Sequence, residues 1–328
     1  MTDTESRTDT ESRTATGNRT DTGNRTGGGP GTRTVPSVPD IARRHTADPL
    51  FRLVAFALES AHGRPPTTVW SAPHAFHLAA RHTVAAAHWP VAAAAAPRDD
   101  GLVRLSSLAH PAQSCEFRLT GPSSSHPAWA SRSYALLRTM ARAGFGRGGA
   151  DLHIHSTLTP ATGLSSTEPL ECAVALAIAE LHTPRAGTRP PRGRLASLAR
   201  SASPDGDAAL REAVLFGRSG RALVLEGGRR RRIAFDPSAQ GARLMLLVTR
   251  GEGLGADDVR RAQECARRTG ALAAWRPGRG PGRSTLVLLP QDRLTPIRTA
   301  VAEEFRAAGL PVPRFLNITV AGPARRED

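Results

Sequence analysis

The chain contains no lysine, few aromatic residues and no long hydrophobic run. All 44 basic residues are therefore arginine, against 29 acidic residues, and the net charge is +15. Such a charge attracts phosphates non-specifically. Aromatic residues make up only 4% of the 328 residues, so stacking platforms for bases are scarce. We expect no specific nucleic-acid partner.

The shortage of apolar runs argues against a membrane protein. The longest bland stretch, Val91 to Ala96, is mostly alanine and ends at Pro97, far short of a spanning length. The N-terminus lacks the charged-then-apolar pattern of a secretory signal, so we expect a cytoplasmic protein. The three cysteines are too widely spaced for a disulfide framework or a close-spaced zinc pair: Cys115, Cys172 and Cys265.

The first 34 residues repeat a six-residue unit that begins as TDTESR and has no large apolar side chain beyond Met1. This composition cannot form a core, so residues 1–35 are predicted to be a disordered tail. Beyond the tail, helical and strand-like patterns alternate to the C-terminus. This alternation predicts an α+β fold.

Apolar spacing predicts helices over 48–61, 129–143, 170–181, 257–269 and 295–308, with a short helical piece near 195–202. Alternating or β-rich patterns predict strands near 68–70, 102–108, 115–119, 151–156, 222–225, 243–248, 284–289 and 314–320.

The segment Thr162 to Thr167 lies between the predicted strand 151–156 and the predicted helix 170–181. Small residues leave amides accessible at a helix N-terminus, where a phosphate is favoured, and hydroxyls there can reach Mg²⁺. Serine and threonine also cap helices that bind nothing, so the segment alone leaves both interpretations open. It is not a Walker loop, because no lysine follows.

The surrounding sequence resembles the GHMP small-molecule kinases, and among them the galactokinases. Residues 163–176, GLSSTEPLECAVAL, are similar to the phosphate-binding signature GLSSSAxLE of that family. Two more segments follow the family's order. Residues 70–91 resemble the signature APGRVNLIGEHTDYN with the strand after it, and residues 270–284 resemble GALGARMTGGGFGGS.

The resemblance implies a two-domain α+β architecture: a nucleotide-binding N-terminal domain over 36–237 and a ferredoxin-like C-terminal domain over 238–328. It implies ATP and Mg²⁺ as cofactors and galactose or a related sugar as substrate. We expect a monomer without a membrane partner.

The resemblance also assigns site residues. His82 matches the histidine of the first signature and would contact the sugar, and Ser166 would contact the magnesium ion. The nucleotide-binding residues would be Gly163, Leu164, Ser165, Ser166 and Thr167.

Several family residues are replaced. The arginine that is thought to aid phosphoryl transfer falls on Ala75, and the sugar-contacting aspartate falls on Val84. The catalytic aspartate falls on Leu210, or on Ala209 if one residue is inserted. Asp207 lies just upstream and is our candidate base, although its surroundings are also typical of an ordinary turn.

Two functions therefore remain open. The first is an ATP-dependent sugar kinase, which transfers a phosphoryl group to galactose or a related sugar. The second is a catalytically inactive paralogue, a pseudokinase that binds a nucleotide or a partner. Losing an electrostatic stabiliser or a base commonly costs on the order of a hundredfold in rate.

Two other clusters have simpler interpretations. The histidines His74, His77, His82 and His88 have spacings that fit no standard zinc motif. The run from Arg229 to Arg232 follows Gly227 and Gly228, and we interpret it as a solvated turn. Binding of phosphate or an acidic partner is its alternative.

Overall fold

The computed structural model describes residues 41–122, 125–159, 162–183, 190–250, 255–278 and 282–327. The tail predicted over 1–35 lies outside these ranges. No helix within them combines the length and apolar character that crossing a bilayer requires.

The described ranges contain seven α-helices and twelve β-strands. The helices are α1 (Pro49–His62), α2 (Ser131–Arg142), α3 (Thr167–Leu181), α4 (Arg192–Ala202), α5 (Ala208–Phe216), α6 (Ala256–Arg268) and α7 (Leu294–Ala307). The strands are β1 (Thr68–His77), β2 (Thr83–Pro97), β3 (Leu102–Ser107), β4 (Cys115–Arg118), β5 (Gly149–Ser156), β6 (Arg221–Glu226), β7 (Arg229–Ala234), β8 (Ala242–Val248), β9 (Ala273–Trp275), β10 (Ser284–Pro290), β11 (Arg314–Ile318) and β12 (Arg325–Glu327).

The first sheet has the strand order β12-β1-β2-β5-β3-β4, and β6 pairs with both β2 and β7. Its core depends on the alanine run of β2. Ala92 and Ala94 pack with α1 on one face, whereas Ala93 and Ala95 belong to the cluster that contains α3. Small side chains let a helix approach each face closely, which explains why a strand rather than a loop carries this run.

The second sheet has the order β11-β8-β10-β9. Alternate residues of β8 face opposite ways: Met245 and Leu247 pack with α6 and α7, whereas Leu244 and Leu246 pack with Phe76 of the first sheet. Both sheets therefore lie in one compact unit, and helices cover the outer face of the second. This confirms the predicted α+β fold. The domain boundary predicted at 237/238 falls between β7 and β8 and stays a prediction.

Two elements differ from what the sequence patterns indicated. Helix α5 was not predicted, because charged Arg211 and Glu212 interrupt its apolar spacing and yet lie on its buried side. The arginine run lies in strand β7 and not in the turn. Gly227 and Gly228 form that turn with φ of 55° and 75°, the left-handed region that a two-residue hairpin turn requires.

A buried ion pair joins α3 to α5. Arg211 Nε donates to Glu171 Oε2 at 2.8 Å, and Arg211 Nη2 donates to the carbonyl of Ser203 at 2.9 Å. The two charged side chains are only 1% and 2% exposed. Removing one partner of such a pair leaves an uncompensated buried charge, which typically costs about 3–5 kcal/mol. The pair therefore holds the loop between α4 and α5 in place.

We expect Gly206→Ala to destabilise the protein by about 2–4 kcal/mol in chemical denaturation. A Cβ at Gly206 would lie 2.1 Å from Arg211 Nη2, and the ion pair prevents that guanidinium from moving away. Gly193→Ala is the matched control, because a Cβ there meets nothing within 4 Å. Equal free energies of unfolding for the two variants would contradict the proposed rigidity of Arg211.

Two histidines are buried in the first sheet. Burial lowers the pKa of His74 to about 4 even though its Nδ1 donates to the carbonyl of Trp89. Burial, with the nearby charges of His155 and His62, lowers the pKa of His153 to about 4. Among the described residues, His153 Nε2 has no hydrogen-bond partner. Both rings are therefore neutral at pH 7.

This burial makes the protein sensitive to acid. The unfolded chain binds protons at these rings near pH 6.5, whereas the folded chain does so only near pH 4. The free energy of unfolding should thus fall between these values, by about 3 kcal/mol for each histidine. In urea titrations across this window, His153→Gln should weaken the pH dependence, and exposed His45→Gln should leave it unchanged. Parallel pH profiles for all three proteins would be the contrary result.

Candidate functional site

The phosphate-loop residues connect β5 to α3 and lie against both sheets. Ser165 forms a bridge with Ala75 of β1. Gly163 has φ +67°, and a Cβ there would lie 2.9 Å from Ser284 Oγ. Ser284 Oγ also donates to the carbonyl of Thr162. The structure therefore brings the loop together with the first and third segments that resemble the family signatures.

The first turn of α3 is buried and fixed by Glu168. Ser165 Oγ donates to Glu168 Oε2, and the amide of Asp207 donates to Glu168 Oε1 at 2.9 Å. The carboxylate also suits this helix end, because the macrodipole favours negative charge there. Ser166 is the N-cap residue, and its side chain makes no capping hydrogen bond. Glu168 thus links the loop to the start of α5 and leaves the Ser166 hydroxyl uncommitted to the cap.

Asp207, the candidate base, caps α5 and contacts a histidine. Its Oδ1 accepts from the amides of Ala209 and Leu210 at 2.9 and 3.3 Å, and its Oδ2 accepts from His77 Nε2 at 2.7 Å. Burial alone raises the pKa of the Asp207 carboxyl. The contact with His77 and the two amides outweigh burial and hold that pKa below its usual value. Asp207 is therefore a carboxylate at neutral pH.

The other positions assigned by resemblance offer no side-chain hydrogen bond to this pair, although the amide of Leu210 donates to Asp207. His82 lies in the exposed turn between β1 and β2 with φ +54°, and its carbonyl accepts from the amide of Leu225. Ala75, Val84 and Leu210 are all buried in the apolar core. These three residues offer no charge to a substrate.

A cleft of about 360 Å³ extends from the loop along α2. We call it the phosphate-loop cleft. Ser166 and Thr167 line one end, and Trp129 and His110 line another part, where their rings stack 5.1 Å apart at an interplanar angle of 10°. Its size falls within the range of small-molecule sites. The stacked pair offers an aromatic face next to the loop.

Two residues that line this cleft carry buried polar atoms without a hydrogen-bond partner among the described residues: Trp129 Nε1 and His155 Nδ1. Arg132 Nη1 and Glu171 Oε1, on the same lining, form an ion pair at 3.5 Å. Burial lowers the pKa of His155, so its ring is neutral. Buried polar atoms are normally paired, and these two exceptions in one cleft indicate a ligand or waters that supply the missing partners.

The oxygen atoms that the chain offers could bind a magnesium ion only together with oxygen atoms from a bound phosphate ligand or water. Within the described ranges, no three histidine, cysteine or acidic residues lie together as a metal site would require. Ser166 and Thr167 contribute hydroxyls to the cleft. Magnesium at nucleotide sites usually takes most of its ligands from phosphates and water. The expected role of Ser166 is therefore compatible with the fold and stays a prediction.

The sequence patterns missed three participants. His77 was grouped with other histidines and not with Asp207, which lies 130 positions away. The Trp129–His110 stack and the linking role of Glu168 were also missed. Trp129 at the start of a predicted helix was the one available signal.

Comparison with known proteins supports the resemblance. No family model matches the chain. Over 204 residues the chain is 31% identical to a galactokinase from Streptomyces coelicolor. The aligned region covers 58% of this chain and 52% of that protein. The chain thus spans about half the length of this relative.

Solved structures share the fold. Lactococcus lactis galactokinase complexed with galactose superposes with a TM-score of 0.68 and 15% identity, covering 84% of this chain and 99% of that one. Homoserine kinase from Cytophaga hutchinsonii gives a TM-score of 0.54 and 12% identity, covering 79% and 96%. The chain is therefore similar in sequence to a galactokinase over about half of that protein's length, and it shares its fold with galactokinase and homoserine kinase.

Proposed function

We propose that this protein binds ATP with Mg²⁺ in the phosphate-loop cleft as a sugar-kinase-like protein. The observation that carries the proposal is that Trp129 Nε1 and His155 Nδ1 lack a hydrogen-bond partner among the described residues, in a cleft that Ser166 and Thr167 also line. A nucleotide has the matching parts: a planar base, hydroxyls and an anionic end. The kinship with a galactokinase supports the same ligand.

In this arrangement the base would lie against Trp129 and the phosphates would lie near Ser166 and Thr167. The N-terminus of α3 favours negative charge there. A bound magnesium ion would neutralise phosphate charge, and Ser166 would hold it. Glu168 in the first turn and the missing amide of Pro169 oppose binding. We therefore propose weak affinity, in the high micromolar to millimolar range.

The binding proposal predicts that MgATP raises the melting temperature of the parent and that Gly163→Asp abolishes the effect. The aspartate would crowd Ser284 and repel phosphate. Gly309→Asp is the matched control, since Gly309 has the same φ of +67° and open surroundings. Equal responses of the two variants would mean that ATP binds elsewhere on the arginine-rich surface. Trp129→Ala should also weaken the response.

Galactose phosphorylation is not part of the proposal. Ala75, Val84 and Leu210 are buried apolar residues where the galactokinase resemblance places charged ones. The protein should therefore release no galactose-dependent ADP in a coupled assay. A turnover above roughly 1 s⁻¹, within the range of working kinases, would contradict this prediction.

The His77–Asp207 pair favours a second candidate function, phosphoryl transfer to a different hydroxyl compound. Asp207 contacts Glu168, which contacts Ser165, so the pair adjoins the phosphate loop through consecutive hydrogen bonds. The Asp207 carboxylate would take the proton of the acceptor hydroxyl. The hydroxyl oxygen would then form a bond to the terminal phosphorus of ATP, and ADP would leave. The pseudokinase alternative needs only the binding step.

A further inference from the structure

A second cleft, of about 680 Å³, is lined by the loop that precedes α5. We call it the arginine cleft. It is bounded by the end of α4 at Arg200, the start of α5 at Asp207, and the β6–β7 hairpin at Arg229 and Arg230. The phosphate-loop cleft is lined by Arg132, which binds Asp205 from the same loop at 2.8 Å. One short loop therefore separates the two clefts.

The charges of the arginine cleft do not cancel. Asp205 pairs with Arg132, and Glu212 pairs with Arg230 through both carboxylate oxygens. Arg200 and Arg229 form no ion pair with any residue in the described ranges. Glu226 is the cross-strand partner of Arg229 but does not line the cleft. Two arginines are therefore available to a ligand, while Asp207, the third carboxylate that lines the cleft, contacts His77.

The backbone positions of these arginines are set by regular elements. Arg230 is fixed by Glu212 and lies 3.9 Å over the ring of Phe216, so the hairpin is held to α5. The turn at Gly227 and Gly228 sets the register that places Arg229 opposite Glu226. Arg200 lies in the last turn of α4. The N-terminus of α5 adds a favourable field for an anion.

We propose that the arginine cleft binds a small anionic polyhydroxy compound, whose carboxylate or phosphate pairs with Arg200 and Arg229 and whose hydroxyls reach Asp207. Guanidinium groups suit both anions because they offer paired donors in a plane. The cleft is of a size for one small molecule. The proposal that the cleft binds such a compound depends only on the residues that line it. That this compound is also the phosphoryl acceptor rests on the proposed function.

The proposal accounts for the loss of polar groups in the core. A neutral sugar would find no charged partner at Val84 or Leu210. An anionic compound would instead pair with Arg200 and Arg229. Recognition has thus moved from the core to the hairpin. Galactose itself lacks the group that the arginines select.

Calorimetric titration without nucleotide tests this inference. Gluconate and glucose 6-phosphate are the carboxylate and phosphate probes, and galactose is the neutral one. We expect at least one anion to bind the parent and galactose to give no signal. The double variant Arg200→Gln with Arg229→Gln should weaken anion binding by about tenfold or more. The tighter of the two probes identifies the anionic group.

The matched control is Arg194→Gln with Arg231→Gln. These arginines lie on the same helix and strand, are exposed, and lie outside the cleft, so the change in net charge is identical. The control should bind like the parent. Equal losses in both double variants, no binding of either anion, or binding of galactose would each overturn the inference.

A parallel titration with MgATP separates this inference from the proposed function. The Arg200→Gln, Arg229→Gln protein should keep its response to MgATP, because neither arginine lines the phosphate-loop cleft. Anion binding without any MgATP response would refute the proposed function and leave the arginine cleft standing. The reverse result would refute the arginine cleft alone.

Discussion

The buried ion pair between Arg211 and Glu171 is the constraint on which both clefts depend. It fixes α5 against α3 and holds the preceding loop through the carbonyl of Ser203. That loop contributes Asp205 and Asp207 to the arginine cleft, and Asp205 also pairs with Arg132, which lines the phosphate-loop cleft. Because a buried charge without its partner is costly, the pair tolerates little movement. The distance between a nucleotide and an acceptor would thus depend on this ion pair, of which Glu171 also lines the phosphate-loop cleft.

The second constraint is the close approach of the phosphate loop to both sheets. Gly163 fits against Ser284 only because it has no side chain, and Ser165 bridges to Ala75 on the other side. The loop is therefore shaped by strands that are far apart in sequence. A ligand would meet amides and hydroxyls that packing has already positioned, which lowers the ordering cost of binding.

Local patterns predicted much of the fold and part of the site. Most helices and strands followed from apolar spacing, and the phosphate loop followed from the segment 163–176. Helix α5 escaped because its buried face carries Arg211, whose partner lies 40 positions earlier. The His77–Asp207 contact escaped for the same reason, since one sequence does not reveal which distant charges meet. The stacked pair at Trp129 forms only when α2 packs against the β3–β4 region.

The apolar residues Ala75, Val84 and Leu210, which fall where the family resemblance places charged ones, are physically consistent with one another. Where the family resemblance places charges, this chain has apolar side chains that fill the core. Conversely, polar groups that the chain retains beside the loop are paired: both oxygens of Glu168 accept hydrogen bonds, and His77 contacts Asp207. Random loss of function would leave buried charges without partners at these places, because nothing would select their replacement. In the phosphate-loop cleft, by contrast, Trp129 Nε1 and His155 Nδ1 have no hydrogen-bond partner among the described residues. The core beside the loop is thus filled by apolar or paired side chains, whereas the cleft retains two polar atoms that a ligand or water would satisfy.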